Sequence, residues 1–295
     1  MRNANLRRLA GRVAESGLFH RARSLWDVNQ RDWNLPLSKW QKLTTGMFII
    51  LRDYATGRFP PTFEDQQVAY DAEISYSTAL PGMTPEEIAL NDIRKPFWHG
   101  ALGRRYINDF TRICRALESC DVVPPQSLLE LGCGSGWTAE FLAATGFDVL
   151  GTTLSPVEVD TARRRIDSLT RKWPAAHLEY RSAPMESVTD AVADRAPFDC
   201  VYVYEALHHA FDWRAAIAQA YDCLRPGGWL LICNEPNILH TCIAYRVARI
   251  ANIHEIGFGR SALLRALEQS GFRRTRVLRN RCHLFVRHHW IAAQK

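Results

Sequence analysis

The chain has no long hydrophobic run. No stretch of its 295 residues approaches the ~18 uncharged apolar residues that a bilayer span needs. No secretory leader is expected in its opening residues, because Arg7, Arg8 and Arg12 stand where an apolar core would have to lie. It lacks any CxxC pair. Its eight cysteines are scattered, which excludes a disulfide framework and a cysteine-rich zinc site and predicts reduced thiols in the cytoplasm. Internal repeats and low-complexity tracts are also missing. What remains is a chain 47% hydrophobic, long enough to bury a substantial core.

Charge is uneven. Residues 1–60 carry +7, residues 271–295 carry +7, and the middle carries −8. A nucleic-acid protein is often basic around its functional groove, whereas here only the ends are basic. Nucleic acid is therefore not expected as a partner. The opening segment places Leu6, Leu9 and Val13 at helical spacing among arginines. That pattern predicts a helix docked in a cap, with peripheral membrane contact as the alternative.

Two textures divide the chain. Residues 1–125 read as helices and loops, with turn signals at Pro60-Pro61 and Pro81-Gly82, and form a helical cap or substrate region. Residues 126–295 alternate strand-like and helix-like runs and form the second domain. Strands are predicted over 128–132, 148–154, 178–183, 199–207 and 229–234, with two more over 274–278 and 283–291. Ser155-Pro156-Val157-Glu158 predicts a helix start with a capping box. Strands alternating with helices imply an α/β, doubly wound, mostly parallel sheet. The last two strands are joined too closely for a parallel crossover, so the sheet should finish with an antiparallel strand.

The chemistry centres on residues 127–136, SLLELGCGSG. Glycines at 132, 134 and 136 end a buried strand and open a helix, where ligands bind in doubly wound sheets. The spacing is GxGxG, and Trp137 holds the third-glycine position of a dinucleotide fingerprint. No lysine follows, as a P-loop requires. Glu130-Leu-Gly-Cys-Gly-Ser-Gly136 resembles the first motif of class I S-adenosylmethionine-dependent methyltransferases. Val149–Ser155, Phe198–His209 and Leu224–Gly228 resemble the later motifs in order.

The resemblance covers about residues 126–295 and implies a seven-stranded Rossmann-like methyltransferase sheet with S-adenosyl-L-methionine as cofactor. It implies Glu130, Gly132, Cys133, Gly134 and Gly136 at the amino-acid tail of the cofactor, and Thr153 and Leu154 at its ribose. Pro184 and Met185 fall at adenine, with Ser182 or Glu186 as its amine partner. Thr153 departs from the pattern, because family members usually carry Asp or Glu there; lipid-alkylating cyclopropane synthases have a similar threonine. A hydroxyl cannot supply a charge-assisted pair of hydrogen bonds.

Glu205, His208 and His209, with Asp212, cluster after the fourth strand, facing the transferred methyl group. A base is needed for a hydroxyl acceptor or a protonated amine, and histidine titrates in the right range. His209 matches the histidine of the family pattern, and a histidine that merely orients the loop is the competing reading. Residues 236–260, with Ile243, Val247 and Ile250 on one apolar face, read as a substrate lid. His240, His254 and Glu255 have no i, i+4 pair, so no metal site is expected. Trp98-His99 would close over the cofactor. The reading is methyl transfer to a small-molecule or lipid-like acceptor. Its rivals are a nicotinamide-dependent oxidoreductase and a non-catalytic S-adenosylmethionine-binding protein.

Overall fold

The computed structural model describes residues 2–60, 63–80, 83–97, 101–278 and 288–295. The Pro60-Pro61 and Pro81-Gly82 turns, Trp98-His99 and the start of the predicted 283–291 strand fall wholly or partly outside them.

Six helices precede the first strand: α1 (Arg2–Glu15), α2 (His20–Asn29), α3 (Lys39–Thr56), α4 (Gln66–Ser77), α5 (Pro85–Arg94) and α6 (Ala101–Ser119). An alternating series follows: β1 (Ser127–Leu131), α7 (Trp137–Ala144), β2 (Asp148–Thr153), α8 (Pro156–Lys172), β3 (His177–Ser182), the short α9 (Val188–Ala191), β4 (Phe198–Tyr204) and α10 (Trp213–Cys223). The chain ends with β5 (Leu224–Pro236), α11 (Leu239–Ala251), α12 (Arg260–Gln269), β6 (Arg274–Val277) and β7 (His288–Gln294).

The seven strands form one sheet in the order β3-β2-β1-β4-β5-β7-β6. β7 inserts antiparallel between β5 and β6, and the other pairings are parallel. Side chains alternate across the strands, and both faces are buried, which explains the continuous apolar runs. Leu129, Leu131, Val201 and Val203 face α10 and α12. Leu128, Val149, Tyr202 and Leu231 face α6, α7 and α8. The helical half of the chain thus contributes α6 to the core of the sheet.

Three local expectations fail for identifiable reasons. α1 docks, but through Ala10, Gly11 and Ala14, while Leu6 and Leu9 are exposed. A Cβ added at Gly11 would sit 3.5 Å from the Ala55 methyl group, so small residues are what let α1 approach α3. Strand β4 stops at Tyr204, because Glu205 adopts φ +48° and turns the chain out of the sheet. Ser155 does precede α8, yet the capping box does not form. The Ser155 hydroxyl instead accepts a hydrogen bond from Ser77 at 3.1 Å, and Glu158 turns elsewhere.

Candidate active site

At the carboxyl edge of the sheet lies a cavity of about 370 Å³. Its floor is the glycine turn after β1 and the end of β2. Gly132 has φ +67°, and a Cβ there would sit 2.5 Å from the Ala206 methyl and 2.8 Å from Met185 Cε. Gly134 has φ +52°, and a Cβ there would sit 3.6 Å from Glu158 Oε1. At Gly132 the collision leaves room only for glycine, and at Gly134 the left-handed backbone favours it. Gly136 differs. It lies off the cavity wall, and its missing side chain makes room for the Tyr180 ring, whose hydroxyl donates to the Gly136 carbonyl at 2.7 Å.

Of the other predicted cofactor residues, Glu130, Cys133, Thr153, Leu154, Pro184, Met185 and Glu205 all line the cavity. Glu130 is buried, receiving bonds from the Thr138 and Tyr202 hydroxyls, the latter at 2.8 Å. Burial pushes its carboxyl up to about 7, against the pull of those two donors. Ser182 bonds the Leu154 carbonyl at 3.2 Å and lies off the wall, whereas Glu186 lines it and accepts from Tyr70 at 2.9 Å.

A carboxylate from another part of the chain reaches the end of β2. Thr153 donates to Glu158 Oε2 at 2.7 Å, and both residues line the cavity. Burial raises the Glu158 carboxyl, opposed by the Thr153 hydrogen bond. The sequence reading assigned Glu158 to a cap and so missed it; the cue was an acid one helical turn past Thr153.

The catalytic candidates are rearranged. The Glu205 carboxylate is engaged by Arg105 and by Asn234 Nδ2, the latter at 2.9 Å. His208 does not line the cavity. Its Nδ1 pairs with buried Glu235 at 2.8 Å, which removes it as a base for a bound acceptor. His209 does line the cavity, with Nδ1 3.3 Å from Glu73 and 3.5 Å from Glu255. Burial opposes its cation, but the two carboxylates outweigh burial and hold it protonated, with its pKa pushed up to about 10. It is a charged donor at neutral pH and not a free base. Asp212 caps α10 through the amides of Arg214 and Ala215.

Residues 236–260 are not a lid over this cavity, and none of them lines it. Ile243 is 64% exposed, and the buried face of α11 is Thr241, Tyr245 and Ala248. The Tyr245 hydroxyl donates to Asp53 at 2.8 Å, and Arg246 to Asn29 at 2.7 Å. α11 therefore anchors α2 and α3 to the sheet. The roof comes instead from α4 and α5, through Tyr70, Glu73, Tyr76, Ser77 and Ile88. No motif marks these residues in the sequence.

Two tests bear on whether S-adenosylmethionine fits. The Ser135 hydroxyl, 3% exposed on the cavity wall, has no hydrogen-bond partner. The turn at Gly132 and Gly134 leaves the backbone bare, and Glu158 opposes it. Both suit a polar, non-phosphate ligand. No described helix is long and apolar enough to cross a membrane.

Residues 129–232 match the methyltransferase domain family. The chain is 34% identical over 151 residues to the O-methyltransferase cnsE of Penicillium expansum, covering 50% of this chain and 52% of that one. It is 32% identical over 110 residues to a ubiquinone biosynthesis O-methyltransferase of Cereibacter sphaeroides, covering 37% and 41%. The chain thus spans about half the length, or less, of these curated relatives. Magnesium protoporphyrin IX methyltransferase from Synechocystis, solved with bound S-adenosylhomocysteine, superposes with a TM-score of 0.57 at 14% identity, covering 77% of this chain and 99% of that one. The sheet order, the glycine turn and the structural superposition agree on one doubly wound α/β fold, and residues 129–232 within it match the methyltransferase domain.

Proposed function

We propose that this protein transfers a methyl group from S-adenosylmethionine to a hydroxyl of a small-molecule acceptor held beneath the α4–α5 roof. The observation that carries this is the paired floor: the bare turn with its orphaned Ser135 hydroxyl on one side, and Thr153 with Glu158 on the other. The turn would hold the amino-acid tail, and the Thr153–Glu158 pair the ribose hydroxyls. When bound, the cofactor supplies an electrophilic methyl on a sulfonium, which needs alignment more than activation. Alignment in a closed site is worth about 7–11 kcal/mol.

The remaining work falls to the far wall. Tyr70 and Tyr76 restrict the acceptor from above. The His209 imidazolium stabilises the oxygen as its negative charge develops, and Glu73 beside it takes the proton. The similarity to O-methyltransferases supports oxygen as the methylated atom. The described cysteines are free thiols, in keeping with a reducing cytoplasm. Exposed Leu6, Leu9 and Leu18 beside Arg8 and Arg12 would let the cap touch an anionic membrane and reach lipid-like acceptors.

Calorimetry with S-adenosylmethionine and with NAD is the first test. The expected result is sulfonium binding and no nicotinamide binding; the reverse overturns the reading in favour of an oxidoreductase. Methyl-labelled cofactor should then mark hydroxylated compounds in a metabolite panel. Binding with no labelled product from any panel would make the protein a binder without turnover.

A further inference from the structure

Behind His209, outside the cavity, three segments bring together one His–His–Glu group. We propose that His208, His240 and Glu255 bind a single divalent cation of the zinc class, which clamps the end of β4 to α11 and the loop after it. Their ligand atoms all lie within 4.8 Å of one another, and this is the one such group found among the described residues. Spacing along the chain conceals it, since each ligand comes from a separate segment. His254, considered with His240 and Glu255 from the sequence, is not one of the three.

The backbone brings the ligands together. His208 is the middle residue of the short turn Leu207–His209 after β4 and is 7% exposed. His240 lies in the first turn of α11. Glu255 lies in the following loop, which returns alongside: Phe258 N donates to the Pro236 carbonyl at 2.9 Å, and Ile256 N to the His208 carbonyl at 3.3 Å. A Cβ on Gly257 would collide with the Asn237 carbonyl oxygen, so glycine is what permits this crossing.

The donor chemistry fits a cation. Fully buried Glu235 accepts hydrogen bonds from the amides of Ala206, Leu207 and His208, and it pairs with His208 Nδ1 at 2.8 Å. With a proton on Nδ1 toward Glu235, the ring turns Nε2 toward Glu255 Oε1, 3.5 Å away. His240 Nε2 closes on the same oxygen. A proton on Nε2 would answer that carboxylate for one ring alone, whereas a metal ion is shared by both histidines and the carboxylate, whose ligand atoms lie within 4.8 Å of one another. A carboxylate behind a ligating histidine is also the usual outer support of a metal site. Two imidazoles and one carboxylate match a borderline cation rather than Mg²⁺ or Ca²⁺. Bound there, the cation would fix the wall that carries His209, without touching the cavity itself.

The test is Zn²⁺ titration of the full chain against a chromophoric chelator, with Co²⁺ as a spectroscopic replacement. The wild type should take up one equivalent and give the intense visible absorption of low-coordinate Co²⁺. His240→Ala and Glu255→Gln should each bind at least tenfold more weakly. Glu235→Gln should lose about 10–100-fold. His177→Ala, far from the group and exposed, should bind as the wild type does. Because His240 is partly exposed, its variant is expected to fold even if a change at buried His208 is not tolerated. No stoichiometric uptake by the wild type, equal affinity in His240→Ala and Glu255→Gln, or an octahedral Co²⁺ spectrum would each overturn the proposal. None of these readouts depends on methyl transfer.

Discussion

The cavity has two ends built on different principles. The floor is made from turns at the tips of β1 and β2, residues close in sequence and shaped by glycine. The far wall is made from α4 and the turn after β4, separated by 136 positions between Glu73 and His209. The floor is a local device that the backbone alone nearly specifies. The wall exists only once the cap has docked. Cofactor affinity should therefore depend on single residues at the floor, and acceptor choice on how the cap is held.

The sharpest break of the floor is Gly132→Val. The residue must keep φ +67°, and its Cβ would collide with Ala206 and Met185. Strain and overpacking together should cost several kcal/mol, since overpacking alone costs about 1–3 kcal/mol. S-adenosylmethionine binding should fall by at least two orders of magnitude in calorimetry. Gly227→Ala is the control. It has φ +78° but nothing within 4 Å of its Cβ, so it should cost about 1 kcal/mol and leave binding intact. Equal losses in the two would mean that the collision at Gly132 is irrelevant.

Glu130 tests the floor from inside. Its carboxyl pKa is raised from 4.5 to about 7 in the fold, so the folded state holds the proton more tightly than the unfolded chain does. The associated stability is fully present below pH 4.5 and is lost as pH rises through about 7. The difference amounts to something on the order of 3 kcal/mol. Denaturant titrations across that window should show a steeper decline for the wild type than for Glu130→Gln. Parallel curves would show that Glu130 is not the titrating group.

These contrasts also explain what the sequence disclosed. Gly132 and Gly134 were legible because a strand followed by closely spaced glycines has few physical uses, and β7 because a short link forbids a parallel crossover. Leu6 and Leu9 misled because helical spacing shows that a face is apolar, not which face docks; in α1 the docking face is Ala10, Gly11 and Ala14. Ile243 misled for the same reason, since Tyr245 and its bond to Asp53 decided the orientation of α11. Tyr70, Glu73 and the His208–Glu235 pair were illegible, because their partners lie 27 to 136 positions away in the chain.

The wall is probed by Tyr245→Phe. The substitution removes one hydroxyl and leaves a buried Asp53 oxygen short of a donor, with Arg249 still 3.2 Å away. The expected cost is about 1–2 kcal/mol in thermal unfolding. Cofactor affinity should stay unchanged, and the KM for whatever acceptor is identified should rise. A loss of cofactor affinity instead would merge the two ends into one unit.

The smallest effect separates the two residues that share the acid's place. Glu158→Ala removes the carboxylate but leaves α8 uncapped to the same degree as before, because the capping box was never formed. Helix stability should therefore be nearly unchanged, while S-adenosylmethionine binds about tenfold more weakly, or ~1.4 kcal/mol. Thr153→Ala, which deletes only the hydroxyl that orients Glu158, should cost a few-fold. Because Thr153 donates to Glu158, the double variant should lose less than the sum of the two, as neighbours in one hydrogen-bonded pair do. Strict additivity would mean that Thr153 and Glu158 meet the ligand separately, and that Glu158 does not stand in for the missing acid of β2.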